Sequence, residues 1–322
     1  MTNTNKTAKV EYAFVVTILR DYDIYGAIAL AGSLRMENTR FDVVCLCPEY
    51  LYVDSILTDL RKIFDHVFTV PPIFVKFQAY KPNISFASIV FTRLYCLCLT
   101  KYRRICLVDP DILFLRNCDE LFELSPPAAT FTHPFMNNKQ QIYGVNLEHG
   151  QKIKYLDIEN TLTNKRNGAY VGWGSLMILE PNTEKFQTCC CFIDKTNFIR
   201  EYEHTKILSR CDEILLAKIH VGENWTHVDP RYHIIPWKKY AHDVHNIVGI
   251  HFHGKKKLQS YILSHEFEQQ QHQQQQRQQS NPELWPDVAY WWHIFQITCK
   301  EFQLYCIREN FHHKINHNHM RK

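Results

Sequence analysis

Between residues 12 and 70 the sequence alternates strand-like and helix-like segments, and this alternation constrains the fold more than any other feature. Residues 12–19 (YAFVVTIL) are almost wholly apolar, the pattern of a strand buried on both faces. Asp21 and Asp23 then precede residues 25–36, where Ala, Ile and Leu recur at helical spacing. A second strand is predicted over 41–47, an amphipathic helix over 52–63 and a third strand over 65–70. Strand, helix, strand, helix, strand in about sixty residues implies parallel pairing with right-handed crossovers, a Rossmann-like α/β unit. The layout is one that binds nucleotides. No Gly-x-Gly-x-x-Gly follows the first strand, which disfavours a dinucleotide fold of the usual sort.

A helix is predicted over 85–100 with Arg93 in its middle. It leads into Ile105-Cys106-Leu107-Val108, a short apolar run that reads as a buried strand and ends in Asp109-Pro110-Asp111. In extended chain, residues i and i+2 point the same way, so the two carboxylates can converge. The carboxyl edge of an open α/β sheet is also where ligands bind. Two hard oxygen ligands aimed at one spot suit Mg²⁺ or Mn²⁺ carrying a phosphate. Asp-Pro-Asp is equally ordinary turn chemistry. Far along the chain, His251-Phe252-His253-Gly254-Lys255-Lys256-Lys257 offers a second half to such a site. Alternation puts His251 and His253 on one strand face, and the glycine allows backbone to approach a phosphate. A structural HxH followed by a solvated basic turn accounts for the same residues. Asp212 and Glu213 open an apolar helix over 211–220, where plain N-terminal capping is the alternative.

The remaining segments read as a short helix over 117–124 capped by Asn117 or Asp119, strands over 128–132, 169–179 and 247–253, and a helix over 184–198. Residues 137–167 are polar and read as a long functional loop. Residues 269–280 are low complexity and cannot pack a core. Residues 282–311, rich in tryptophan, read as a helix docked on the body. The expected organisation is a flexible lead over 1–9, a catalytic domain over 10–265, a Gln/His-rich insert over 266–281 and a helical extension over 282–322. With 45% hydrophobic and 22% charged residues the composition is globular. A net charge of +4 is too small and dispersed to argue for nucleic acid. The twelve cysteines include no Cys-x-x-Cys pair and several lie in apolar runs, so buried reduced thiols are expected. The polar start carries no signal peptide, and no apolar run is long enough to span a bilayer, so a cytoplasmic protein is expected.

These parts in order (apolar strand, helix with a basic residue, strand, Asp-x-Asp, late His-Phe-x-Gly-x-x-Lys) resemble glycosyltransferase family 8, the glycogenin and galactinol synthase group. The segments FTRLYCLCLTKYRRICLVDPDILFLRNCDELFE and GIHFHGKKK carry the resemblance best. The chain is also similar to open reading frames of large insect DNA viruses. The resemblance implies a GT-A type nucleotide-sugar-binding fold and a retaining hexosyltransferase using a UDP-sugar. Asp109, Asp111 and His251 would bind Mn²⁺, with Mg²⁺ as the alternative, and Pro110 would sit at the nucleotide. Gly254 and Lys257 would meet the phosphates. Thr17 and Leu19 would line the base site, and Tyr25 would cover the uracil ring. Lys81 or Arg93 would stand near the nucleotide. Asp212 would act at the transferred sugar.

Departures from the family pattern are Trp173-Gly174-Ser175, where Asn-x-Gly is usual, and Glu213, where a neutral amide contacts donor or acceptor. They bear on sugar identity more than on metal binding. The resemblance leaves the acceptor open among a glycan, a polyol and a protein, and a homodimer is compatible with it. Two other readings compete. A nucleotidyltransferase would carry a Gly-rich basic loop after the first strand, which ILRDYDIYG does not provide. A transferase fold that binds a nucleotide-sugar or glycan without turnover fits the two departures.

Overall fold

The computed structural model describes residues 11–51, 54–75, 89–137, 140–144, 147–158, 173–194, 211–236, 238–240, 243–252, 285–305 and 307. Lys81, Gly254, Lys257 and the 266–281 insert lie outside the described residues. Strand β1 (Tyr12–Thr17), helix α1 (Asp23–Met36), strand β2 (Asp42–Pro48), helix α2 (Asp54–Ile63) and strand β3 (His66–Val70) follow the predicted order. β2 pairs in parallel with β1 and β3, and β1 pairs in parallel with β4 (Arg104–Val108). Beyond β4 the sheet becomes mixed. Strand β10 (Leu176–Leu179) runs antiparallel to β4 and to β6 (Ala128–Ala129). β11 (Trp225–His227) and β9 (Lys152–Ile153) complete eight strands in the order β3-β2-β1-β4-β10-β6-β11-β9.

Alternation along the central strands fills two cores. Phe14, Val16, Cys106 and Val108 face α1, α2 and α5 (Trp285–Glu301). Ala13, Val15, Ile105 and Leu107 face the opposite layer, built from a 3₁₀ helix (Val90–Cys98), α3 (Thr183–Asp194) and α4 (Cys211–Ile219). Strands covered on both faces explain why their sequences are apolar runs rather than alternating ones. Helix α5 crosses α1 at Gly32, where a Cβ would come within 1.9 Å of Thr298 Oγ1. Among the described residues, no helix is long and apolar enough to cross a membrane.

Two expectations about local structure are corrected. The described part of the helix predicted over 85–100 is 3₁₀, from Val90 to Cys98. The stretch expected as loop over 137–167 contains paired strands. β7 (His133–Asn137) and β8 (Gln140–Gly144) run antiparallel, and β12 (Lys239–Tyr240) joins β8 in parallel. The second partner of β8, β12, lies almost a hundred residues away, so that pairing leaves no local periodicity to read.

Candidate active site

β4 ends at Val108, on the carboxyl edge of the parallel strands, and the chain turns at once: Ile112 N donates to Asp109 O over 3.2 Å. Strand β5 (Ile112–Phe114) follows and pairs antiparallel with β13 (Gly249–His251). The register sets His251 opposite Ile112, and Phe252 N donates to Asp111 O over 2.9 Å. This pairing brings the late histidine to the aspartates. His251 Nε2 lies 3.3 Å from Asp111 Oδ1, and one ligand atom each from Asp109, Asp111 and His251 all lie within 4.8 Å of one another. Asp111 and His251 are buried and Asp109 is partly open. Two carboxylates and one imidazole converging at this spacing fit a divalent cation that accepts oxygen and nitrogen ligands.

Strand β10 supplies the next layer. Leu176 pairs with Val108, so Ser175 lies beside Asp109, whose N–H donates to Ser175 O over 2.8 Å. Arg93, buried on the 3₁₀ helix, reaches the same place. Its Nη2 is 3.0 Å from Asp109 Oδ1 and donates to Gly174 O over 2.6 Å, while Nη1 donates to Asp212 Oδ2 over 2.9 Å. Burial works against the guanidinium charge, but Asp109 and Asp212 together push Arg93 above its ordinary range. Burial raises the Asp212 carboxyl, with Arg93 opposing and Asp109 adding to the rise. Glu213 Oε1 accepts from Gly174 N–H over 2.7 Å. A Cβ on Gly174 would come within 2.8 Å of Glu213 Cγ, so the glycine permits this close approach. One buried arginine thus ties the Asp-x-Asp turn, the Trp173-Gly174-Ser175 turn and the start of α4 into a single unit.

A pocket of about 350 Å³, open mouth included, lies against this unit and is lined by Thr17, Leu19, Arg20, Asp23, Arg93 and the Asp109–Asp111 turn. The predicted Thr17, Leu19 and Pro110 therefore meet the aspartates at one pocket. Thr17 Oγ1 is buried and has no hydrogen-bond partner among the described residues. Tyr25 is not among the residues that line this pocket: its ring sits edge-on to Phe295 of α5 at 6.0 Å and is 3% exposed, in the seam between the two helices.

Sequence reading missed several residues. The buried Asp23 carboxylate accepts from Leu19 N–H (3.3 Å) and Arg20 N–H (3.0 Å) and pairs with the Arg20 guanidinium, fixing the loop after β1. An aspartate three and four residues after those amides was the available signal. His233 bridges Thr130 Oγ1 (2.5 Å) and Ser175 Oγ (3.1 Å), with its ring 6.2 Å from that of His251. Burial holds His233 well below the usual histidine range. No sequence signal linked these three residues.

No family model matches the chain. An uncharacterized protein of Acanthamoeba polyphaga mimivirus is 29% identical over 257 residues, covering 76% of this chain and 82% of that protein. Glycogenin-2 of Homo sapiens is 35% identical over 120 residues and glycogenin-1 of Mus musculus 31% identical over 118. These matches cover 35% of this chain but only 23% and 34% of the two glycogenins, about a third of their length at most. Among solved structures, the galactosyltransferase LgtC in complex with donor and acceptor sugar analogues aligns over 88% of this chain and 95% of its own. The TM-score is 0.50 and the sequence identity 12%. An active-site mutant of LgtC aligns with the same coverage and TM-score, at 13% identity. With a parallel β3-β2-β1-β4 half and an acidic turn at its carboxyl edge, the chain has the fold of the GT-A glycosyltransferases.

Proposed function

We propose that the chain is a retaining hexosyltransferase that moves glucose or galactose from a UDP-sugar to an acceptor hydroxyl, with Mn²⁺ or Mg²⁺ held by Asp109, Asp111 and His251. One observation carries this reading: residues 140 positions apart meet in one buried acidic cluster at the sheet edge, through the β5–β13 register. The partial identity to the glycogenins and the GT-A fold support it. When bound, the metal would neutralise the charge developing on the departing diphosphate.

The chain's own residues divide the remaining work. Thr17 offers a buried hydroxyl for the nucleoside half of the donor, and the Leu19–Asp23 loop walls the pocket beside it. Arg93 holds Asp109 and Asp212 at fixed separation through its two terminal nitrogens, so that Asp109 would serve the cation and Asp212 the transferred sugar. Asp212 orients that sugar while the acceptor hydroxyl attacks from the face the diphosphate leaves. Charged groups placed before the reaction stabilise the transition state without reorganising.

A second reading is binding without turnover. The Glu213 carboxylate, held on Gly174 N–H, favours it, because the family resemblance implies a neutral amide there that contacts donor or acceptor, and a carboxylate cannot donate the hydrogen bonds of that amide. Calorimetry of UDP binding with Mn²⁺ or EDTA tests the site itself. Metal-dependent binding that is lost in Asp111→Asn supports both readings, and metal-independent binding counts against the assigned ligands. Turnover then separates the two.

A further inference from the structure

Two of the three side chains that converge at the sheet edge are anchored on backbone that meets at one buried histidine. His251 N–H donates to Ile234 O over 2.8 Å, and Ile234 N–H donates to Gly249 O over 3.0 Å, so residue 234 holds β13 in place. Asp109 N–H donates to Ser175 O over 2.8 Å, so residue 175 holds the Asp-x-Asp turn. His233 joins the two anchors. It precedes Ile234 in the chain, and its Nδ1 lies 3.1 Å from Ser175 Oγ. Its other ring nitrogen, Nε2, lies 2.5 Å from Thr130 Oγ1.

The Thr130 bond closes a ring. Trp173 N–H donates to Thr130 O over 2.9 Å, so the Trp173-Gly174-Ser175 turn is gripped at one end by Thr130 and at the other by His233. The His233 ring is fully buried, with the Trp173 ring edge-on at 5.4 Å and the His251 ring at 6.2 Å. A neutral imidazole offers one donor and one acceptor, and a hydroxyl serves as either, so both bonds form without charge. Ser175 is thereby held through its hydroxyl on one side and its carbonyl on the other. A shift of this residue would carry the Asp109 backbone with it.

We propose that His233 is a positioning residue of the cation site, fixing Ser175, and through it Asp109, at the distance from His251 that one divalent cation bridges. The inference rests on the reading of Asp109, Asp111 and His251 as metal ligands. It acts through the Nδ1 bond to Ser175, and the two ring nitrogens are separable by substitution. Asparagine carries its amide atoms on Cγ, the place of Nδ1, whereas glutamine carries them one bond further out, the place of Nε2. His233→Asn therefore keeps the Ser175 bond and loses the Thr130 bond, and His233→Gln does the reverse.

The test titrates Mn²⁺ into the full chain by calorimetry, without donor, and records thermal unfolding of the metal-free samples. Both histidine variants should unfold at a lower temperature than wild type, because each loses a buried hydrogen bond. Mn²⁺ affinity should stay near that of wild type in His233→Asn and fall about tenfold or more in His233→Gln, the usual size of a lost ligand support. Ser175→Ala, a milder change that keeps the test available if the histidine variants fail to fold, should reproduce that loss. Adding it to His233→Gln should cost little more, since both remove the same interaction. Wild-type affinity in both His233→Gln and Ser175→Ala, or an equal loss in His233→Asn and His233→Gln, would overturn the positioning role and leave the metal reading standing. A wild type that binds no Mn²⁺ would overturn the metal reading and this inference with it.

Discussion

Arg93 Nη1 lies 2.9 Å from Asp212 Oδ2, and both side chains are almost fully buried. The arginine's other terminal nitrogen is 3.0 Å from Asp109 Oδ1. A buried guanidinium between two carboxylates is a poor source of net stability, yet removing one partner leaves uncompensated charge. Arg93→Met should therefore lower stability by about 3–5 kcal/mol, read as a fall in the denaturant midpoint. Arg93→Lys keeps the charge but loses the planar fork, and should fall between wild type and Arg93→Met. Equal stability of Arg93→Met and wild type would contradict this role.

Thr17 offers a cleaner separation of binding from folding. Its buried hydroxyl has no hydrogen-bond partner among the described residues, so Thr17→Val removes a polar group the fold does not use. The thermal midpoint should hold or rise, while UDP affinity falls about tenfold, the size of one lost hydrogen bond. Unchanged UDP affinity would place the nucleotide elsewhere.

Gly249 governs whether His251 reaches the aspartates. A Cβ there would lie 2.0 Å from the Tyr232 carbonyl oxygen, which is backbone and cannot rotate away. Gly249→Ala should lower stability by about 1–3 kcal/mol and weaken Mn²⁺ binding together, because β13 must shift to relieve the clash. Calorimetry of the metal and thermal unfolding of the same sample check both effects.

Stability should depend on pH through buried histidines. Burial lowers His220 and His227 to about 4, and also holds His233 well below the usual histidine range. The unfolded chain takes up these protons near pH 6.5 while the folded chain does not, so the unfolded state binds more protons in between. The contribution is complete above about pH 6.5 and declines as pH falls toward 4, by up to ~1.4 kcal/mol per histidine per unit. A thermal midpoint that stays flat from pH 7.5 to 5.0 would contradict it.

The legible parts of the sequence were those with dense local signal. The β1-α1-β2-α2-β3 unit shows because β1 and β2 are largely apolar runs and amphipathic α2 separates β2 from β3. Asp109 and Asp111 show because two carboxylates end such a run. The position of Tyr25 did not show, since α1 is buried from Asp23 to Leu34 and no polar face distinguishes pocket from core. His233 did not show either, because its partners Ser175 and Thr130 lie 58 and 103 residues away. Each is an unremarkable polar residue until the sheet brings β10 and β6 together.

The central claim is metal-dependent transfer from a UDP-sugar, and UDP release tests it most directly. UDP-glucose and UDP-galactose would each be incubated with the wild type and with Asp111→Asn, in Mn²⁺ and in EDTA. Release with at least one donor, dependent on Mn²⁺ and abolished in Asp111→Asn, is the predicted result. Release that persists in EDTA or in Asp111→Asn, or no release from either sugar, would contradict the account.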